Sequence, residues 1–452
     1  MITSYTIAII SVLFLLGYFF ITVEDRYNLH KAQTAAFLGT LLWVIIVFKE
    51  GRGVDPVLIA LSSDIFSLVM FLLVAMTLVE ILVHYRFFDY IKVKLLRLGL
   101  GYIKRFWVIG IITFFLSSII DNMTATLVML AIAMCLSKGK NLSITAAAIV
   151  IAANAGGAWT PIGDVTTLMI WIAEKYTAWE VMLWGFLPSV ALFVISLYLL
   201  SRKMEPEAAL IIDEAEIILS RSEWCVIFMA LLSFAFPLIS HEIGLPPCFG
   251  LLLGFGATGV LISIFRNYDE RKNGIPFIHE SSEMCPCRMS GDSHFTTDLK
   301  AALAKTDVAA LVFFTGILLA VGALNHVGIL AWLSNFLLGT EPTITSLFFG
   351  TGFLGLLSSL VDNIPLTAAA LSIIKVTDPA IWSLLALTVG TGGSILIIGS
   401  AAGVVAMGKV KDLTFYNYAK IASIPGLIGY ASCMFVWLLE YHLAPVLIPM
   451  IH

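Results

Sequence analysis

Ser117-Ser118-Ile119-Ile120-Asp121-Asn122-Met123-Thr124-Ala125-Thr126 sets an aspartate and an asparagine inside an apolar run, and Asp121 is the only charged residue from Phe106 to Leu136. The pattern returns as Ser358-Ser359-Leu360-Val361-Asp362-Asn363-Ile364-Pro365-Leu366-Thr367. Two serines, the aspartate, the asparagine and a threonine occupy the same places in both copies. A charged side chain at the centre of a bilayer costs roughly 2.5–3.5 kcal/mol on insertion scales, so its presence there marks function by default. Two in one repeated frame point to a site rather than to a polar pair that packs helices together.

The flanking chain has the composition of a bilayer protein. Of 452 residues, 60% are hydrophobic and 12% charged, with a mean hydropathy of +0.98. Soluble domains carry about 25% charged residues, and apolar stretches long enough for a ~30 Å hydrocarbon core recur throughout. The fold class expected is an all-α polytopic membrane protein. A net charge of −4 gives no reason to expect a nucleic-acid partner. No Gly-x-x-x-x-Gly-Lys-Ser/Thr loop is present to use ATP, and His241-Glu242-Ile243-Gly244-Leu245 lacks the second histidine of a zinc-protease motif. An aspartyl protease built on Asp121 and Asp164 would leave the duplicated Asp362 unexplained, so no enzyme and no resident cofactor are expected. Cys285-Pro286-Cys287 is the only close cysteine pair, and it reads as part of a loop.

Working outward from the two Asp-Asn pairs, residues 106–136 and 344–375 read as re-entrant hairpins with the pair at the tip. Each is followed by a broken span. The first, about 143–174, contains Asn154-Ala155-Gly156-Gly157 and then Gly163-Asp164; the second, about 381–408, contains Gly390-Thr391-Gly392-Gly393-Ser394 and then Gly399-Ser400. Glycines and proline leave backbone groups unpaired there, which membrane depth tolerates only when protein, water or a ligand satisfies them. Uninterrupted spans are expected near 5–23, 32–48, 57–83, 178–201, 224–240, 248–265, 306–325 and 421–440. The first has no basic segment before it, so it reads as a retained helix rather than a cleaved leader. Residues 84–105 alternate Arg and Lys with Phe, Ile, Val and Leu, as in a helix lying on the membrane surface.

The chain therefore divides into a first repeat over residues 1–201, a connector at 202–223 and a second repeat over 224–445 that includes a long loop at 266–305. Each repeat has an odd number of crossings, so the second enters upside down. Lysine and arginine distribution agrees: residues 84–142 hold eight, whereas 326–378 hold only Lys375. The positive-inside rule then puts the connector, the 266–305 loop and Lys409–Lys411 in the cytoplasm and both termini outside, in a multi-pass protein of the cell (inner) membrane.

Inverted repeats with broken helices meeting at midplane are a recurring design of secondary transporters. Oxygen from unwound backbone, Asn, Ser and Thr suits a hard cation such as Na⁺, and a buried carboxylate must hold either a cation or a proton. Asp121 and Asp362 are the natural Na⁺ and proton carriers. Asn122, Thr124, Asn363 and Thr367 are neutral donors beside them, and Asn154, Thr391 and Ser394 supply oxygen at the breaks. Asp164 is expected to support the first site, where its counterpart Ser400 is neutral. Glu80 and His84 read as a local ion pair, His326 as interfacial, and Asp64 as lying outside the membrane or in an aqueous entrance.

These segments resemble the NhaD-type sodium/proton antiporters of the ion transporter superfamily. The resemblance rests on Asp-Asn-Met-Thr at 121–124, Ala-Ala-Asn-Ala-Gly-Gly-Ala with Gly-Asp-Val-Thr-Thr within 152–167, and Val-Asp-Asn-Ile-Pro-Leu at 361–366. It extends to Gly-Thr-Gly-Gly-Ser with Ile-Gly-Ser-Ala-Ala-Gly within 390–403, and to Val74-Ala75-Met76-Thr77. It implies exchange of Na⁺ or Li⁺ for H⁺, two clamshell cation sites, and a homodimer with an elevator-like movement. Glu80 and the Cys-Pro-Cys loop depart from the pattern. The alternative on the same scaffold is a sodium-coupled dicarboxylate importer or an arsenite exporter; two aspartates at the hairpin tips would repel a dianion.

Overall fold

In a nonpolar solvent every backbone N–H and C=O must find a partner within the chain, and helices do this segment by segment. The computed structural model describes residues 4–22, 30–207, 217–273, 299–332 and 342–447, and its regular elements are all helical. Seven helices among the described residues are long and apolar enough to cross a membrane: Lys31–Glu50, Asp55–His84, Ala178–Ser201, Arg221–Glu242, Pro247–Tyr268, Val308–His326 and Phe415–Leu443. The chain is a polytopic helical membrane protein.

By contacts it forms two compact units, one of Met1–Val69, Leu98–Ile212 and Ala309–His452, the other of Met70–Arg97 and Asp213–Val308. In the second unit, α4 (Phe87–Arg97) carries Lys94 and Arg97 in its last turn and buries Phe88, Val93, Leu95 and Leu96, as the amphipathic pattern requires. Arg86 turns the chain into it with φ 57°. Thr77 is fully buried, donates to the Leu73 carbonyl at 2.7 Å and lies 3.2 Å from the Thr306 hydroxyl. The expected span at 224–240 lies within Arg221–Glu242, whose helix is interrupted just before Pro237 into α10 (Arg221–Ser233) and α11 (Phe236–Glu242), since proline has no N–H to continue the first. Cys285 and Cys287, in the expected 266–305 loop, lie outside the described residues.

The first unit holds both Asp-Asn segments. Each is a pair of helices joined by a short break: α5 (Tyr102–Ser117) with α6 (Asn122–Leu136), and α15 (Ile344–Ser358) with α16 (Asn363–Ile373). The following interrupted segments are α7 (Gly139–Gly157) with α8 (Val165–Ile172), and α17 (Pro379–Gly392) with α18 (Ala401–Lys409). Packed against them are α9 (Ala178–Ser201) and α20 (Ile424–Leu447), the latter entered through a π turn at Ala419–Ser423. α7 buries every residue from Ser143 to Gly157, and α17 every residue from Ala380 to Gly392. Helices apolar on all sides belong inside a bundle, away from lipid.

Glycine makes these crossings possible. A Cβ on Gly156 would strike the Phe114 carbonyl, and one on Gly392 the Gly355 carbonyl. Gly157 and Gly393 would each place one 2.6 Å from the carbonyls of Gly163 and Gly399, and those two would place one 2.5 Å from the carbonyls of Ser117 and Ser358. The two serines finish the match, Ser117 donating to Ala153 at 2.6 Å and Ser358 to Val389 at 2.7 Å.

Candidate functional site

Four chain breaks meet where these helices cross. In the first, Ile119 and Ile120 donate their N–H groups to Leu116 and end α5; Asp121 then caps α6, accepting from the Thr124 N–H at 2.9 Å and its hydroxyl at 2.5 Å. This is ordinary N-cap chemistry. Asp362 stands at the same position before α16 but makes no side-chain cap bond. The interrupted segments reverse this. Asp164, at the N-cap position of α8, makes no cap bond, whereas Ser400 caps α18 by accepting from Gly403 N–H at 3.2 Å.

The Asp164 carboxylate is instead drawn to the two hairpins. Asn363 donates its amide to both carboxylate oxygens, at 3.3 and 3.1 Å, and Asn122 donates to one of them at 3.2 Å. The Asn122 amide also donates to the Asn154 side-chain carbonyl at 3.0 Å, and Asn154 donates to the Ser400 hydroxyl at 3.0 Å. Asp164 is 2% exposed and Asn154 fully buried. Gly390 leaves the carboxylate its room, since a Cβ there would lie 3.0 Å from Oδ2. Asp362 is within electrostatic reach of Asp164. Lys31 is within electrostatic reach of Asp362. The result is one buried carboxylate held by neutral amides, a second carboxylate nearby, and helix N-termini behind both. The carboxylates offer a cation or a proton a negatively charged oxygen site, and the helix N-termini behind them stabilise the charged carboxylate form.

The candidates read from the sequence divide accordingly. Asn122, Asn154, Asp164 and Asn363 form one hydrogen-bonded cluster. Asp121 and Thr124 bond each other; Thr367 donates to the Asn363 carbonyl at 2.8 Å, Thr391 to Leu387 at 2.5 Å and Ser394 to Thr391 at 2.6 Å. The Thr166 hydroxyl, beside Asp164 in sequence, is buried and lies near the Asp164 carboxylate. Ser400 and Gly390 were not among the sequence candidates. Their signal was present, because setting Gly156-Gly157 over Gly392-Gly393 also sets Asn154 over Gly390 and Asp164 over Ser400. His326 pairs with Glu50 at 2.7 Å and lies against Trp43. Asp64 is exposed and lines, with Asn325 and Ser372, a largely apolar cavity of about 210 Å³.

A membrane-embedded helical bundle with one buried carboxylate at the junction of four chain breaks defines the class as a carrier of small solutes. The chain belongs to the citrate transporter family (CitMHS), whose model matches residues 18–392. Curated relatives include sodium/proton antiporter 2 of Arabidopsis thaliana, 32% identical over 91% of this chain and 94% of the relative. The Na⁺/H⁺ antiporter NhaD of Halomonas elongata is 32% identical over 94% of this chain and 87% of the relative. NhaD of Vibrio cholerae is 31% identical over 95% and 91%. The expected resemblance to NhaD-type antiporters is thus shown over most of the chain.

Proposed function

We propose that this protein is a secondary active transporter that exchanges Na⁺, or Li⁺, for H⁺, with cation and proton competing for buried carboxylates. The observation that carries this reading is Asp164: it forgoes its own helix cap and takes the amides of Asn122 and Asn363 from two different hairpins. An asparagine amide that donates to an empty carboxylate can turn and offer its carbonyl oxygen to an arriving Na⁺. A proton neutralises the same carboxylate when Na⁺ is absent. The two ligands therefore exclude each other, and a carrier that crosses only when loaded with one of them performs exchange.

In this proposal Asp164 and Asp362 carry the charge that titrates. Asn122, Asn154 and Asn363 supply neutral oxygen, Thr391 and Ser394 line the second break, and Thr367 steadies Asn363. Asp121, the sequence candidate for the first hairpin, holds that hairpin's shape through Thr124. The matched glycine and serine contacts support an inverted repeat, with re-entrant hairpins at 106–136 and 344–375, repeats at 1–201 and 224–445, and a cytoplasmic connector between. The charge distribution supports an inner-membrane protein with both termini outside. The resemblance supports a homodimer moving in an elevator-like fashion.

The family's description names citrate, which makes carboxylate import the second reading. Among the described residues the only buried arginine or lysine is Arg105, and it is engaged by Glu207 at 2.9 Å. Lys31 is within electrostatic reach of Asp362, so its charge answers that carboxylate rather than a substrate's, and the Asp164 carboxylate would repel a dianion; both favour the cation. Proteoliposomes with an imposed pH gradient decide between the readings. Alkalinisation or acidification of the lumen on adding Na⁺ or Li⁺, and none on adding citrate, is the expected result; citrate uptake coupled to Na⁺ would replace it.

A further inference from the structure

A second polar feature lies where α7 begins and α9 ends. There a cavity of about 720 Å³ is lined by Lys140, Arg202, Lys203 and Lys420, with Asp412 as the one acidic group and Asn417 beside it. Arg202 and Lys203 directly follow a membrane-spanning helix. Around them Tyr198, Tyr416 and Ile424 are 49%, 73% and 66% exposed, the mixture of aromatic and apolar surface found at a membrane–water boundary.

Three of the four cations have fixed partners, although Lys140 and Arg202 remain exposed. Lys140 pairs with Glu205 at 2.6 Å; the Arg202 guanidinium bonds the Tyr198 hydroxyl at 2.5 Å and lies over its ring; Lys203 donates to the Ile421 carbonyl at 2.6 Å. Partial burial lowers the pKa of Lys203 below the ordinary lysine value. Four cations, one of them paired with Glu205, against one lining carboxylate, in a cleft large enough for a phosphodiester, match the basic pockets between membrane helices that hold lipid head groups.

We infer that this cavity binds the phosphate of an anionic membrane lipid. The occupant bridges three elements: the first turn of α7, which carries Asn154 at its other end; the end of α9; and the π turn at Ala419–Ser423. That turn is itself tied to the second break, where Tyr418 donates to the Ser394 carbonyl at 2.6 Å and Ser423 to Ile395 at 2.7 Å. The lipid thereby fastens the supports of both breaks to one another. The inference stands on the cavity and its cations and holds whatever ion the protein carries.

The test is native mass spectrometry of the full-length protein released from detergent with added phosphatidylglycerol or phosphatidylcholine. Wild type is expected to retain phosphatidylglycerol preferentially. Arg202→Gln with Lys420→Gln removes two cations and is expected to weaken retention by about 30-fold, with phosphatidylcholine unchanged. Arg202→Lys with Lys420→Arg keeps both charges and should retain the lipid, which separates charge from folding. Equal retention of phosphatidylglycerol by wild type and the glutamine variant overturns the inference, as does equal retention of the two lipids by wild type. Displacement of phosphatidylglycerol by millimolar inorganic phosphate would assign the cavity to a soluble anion and overturn the lipid reading.

Discussion

The two broken segments share a backbone and differ in chemistry. Gly156, Gly157 and Gly163 meet the same partners in the first half that Gly392, Gly393 and Gly399 meet in the second. Yet the residue opening the helix after the break is Asp164 in one and Ser400 in the other. The residues facing them are exchanged crosswise: Asn154 reaches Ser400 from the first half, and Gly390 stands against Asp164 from the second. The hairpins alternate as well, since Asp121 caps its helix and Asp362 does not. Packing keeps the halves alike because a glycine contact admits no variation. The site makes them unlike because two bare carboxylates at each end would repel one another in a medium of low dielectric.

The largest effect should come from breaking that asymmetry. Asp164→Asn is expected to abolish Na⁺-driven proton movement in proteoliposomes, since it keeps size and polarity and removes the charge. Ser400→Ala removes one neutral hydrogen bond, worth about 0.5–1.5 kcal/mol, and should lower Na⁺ affinity by roughly 2–10-fold while exchange continues. Equal losses in the two variants would mean that the halves share the work, as two equivalent clamshell sites would.

The shared backbone predicts a symmetric result. Gly156→Ala and Gly392→Ala each push a methyl group into a carbonyl of the neighbouring helix, and overpacking of this kind costs about 1–3 kcal/mol. Thermal unfolding of the purified protein should show comparable losses of stability for the two. A large drop for one and none for the other would break the structural half of the comparison.

Titration sharpens the chemical half. Where Na⁺ and one proton compete for a single carboxylate, the apparent Na⁺ dissociation constant falls by about tenfold per pH unit below the site's pKa and levels off above it. Apparent Na⁺ affinity should therefore rise with pH. A slope twice as steep would bring Asp362 into the same competition, and no slope at all would remove protons from the site. Flux assays at fixed Na⁺ over a series of symmetrical pH values measure it.

The fold was largely legible because bilayer solvent simplifies the code. Uncompensated charge is excluded, so Asp121, Asp362 and the glycine pairs stand out against apolar sequence, and the expected breaks fall where the helices end. What could not be seen was direction. A repeated Asp-Asn pair shows that the aspartate is special but not whether its carboxylate turns to its own helix or to a neighbour's. Asp121 and Asp362 look equal in the sequence, and Asp164 looks auxiliary. In three dimensions Asp164 gathers the amides because Asn122 and Asn363, one position after each hairpin aspartate, both point to it. A side chain that bonds a residue 199 positions away leaves no local pattern to read. Segmentation of the 224–240 stretch was visible in Pro237 and is a matter of local sterics.

The smallest expected effect separates the two hairpin aspartates. Asp121 accepts a backbone N–H and a hydroxyl from Thr124, and loss of an N-cap side chain costs typically ~1 kcal/mol. Asp121→Ala should therefore lower thermal stability by about that amount, and Asp121→Asn, which caps as well, should restore it. Asp362 has no cap bond to lose, so Asp362→Ala should leave stability close to wild type. Transport should show the reverse. Asp362→Asn removes a carboxylate within electrostatic reach of Asp164 and should stop exchange, whereas Asp121→Asn keeps the hairpin's shape and should sustain it. Unfolding curves and Na⁺-driven proton flux on the same preparations read both quantities at once. Loss of exchange in Asp121→Asn with its stability intact would show that the first hairpin's carboxylate also carries charge, and would return the site to the symmetric pair that the repeated sequence suggests.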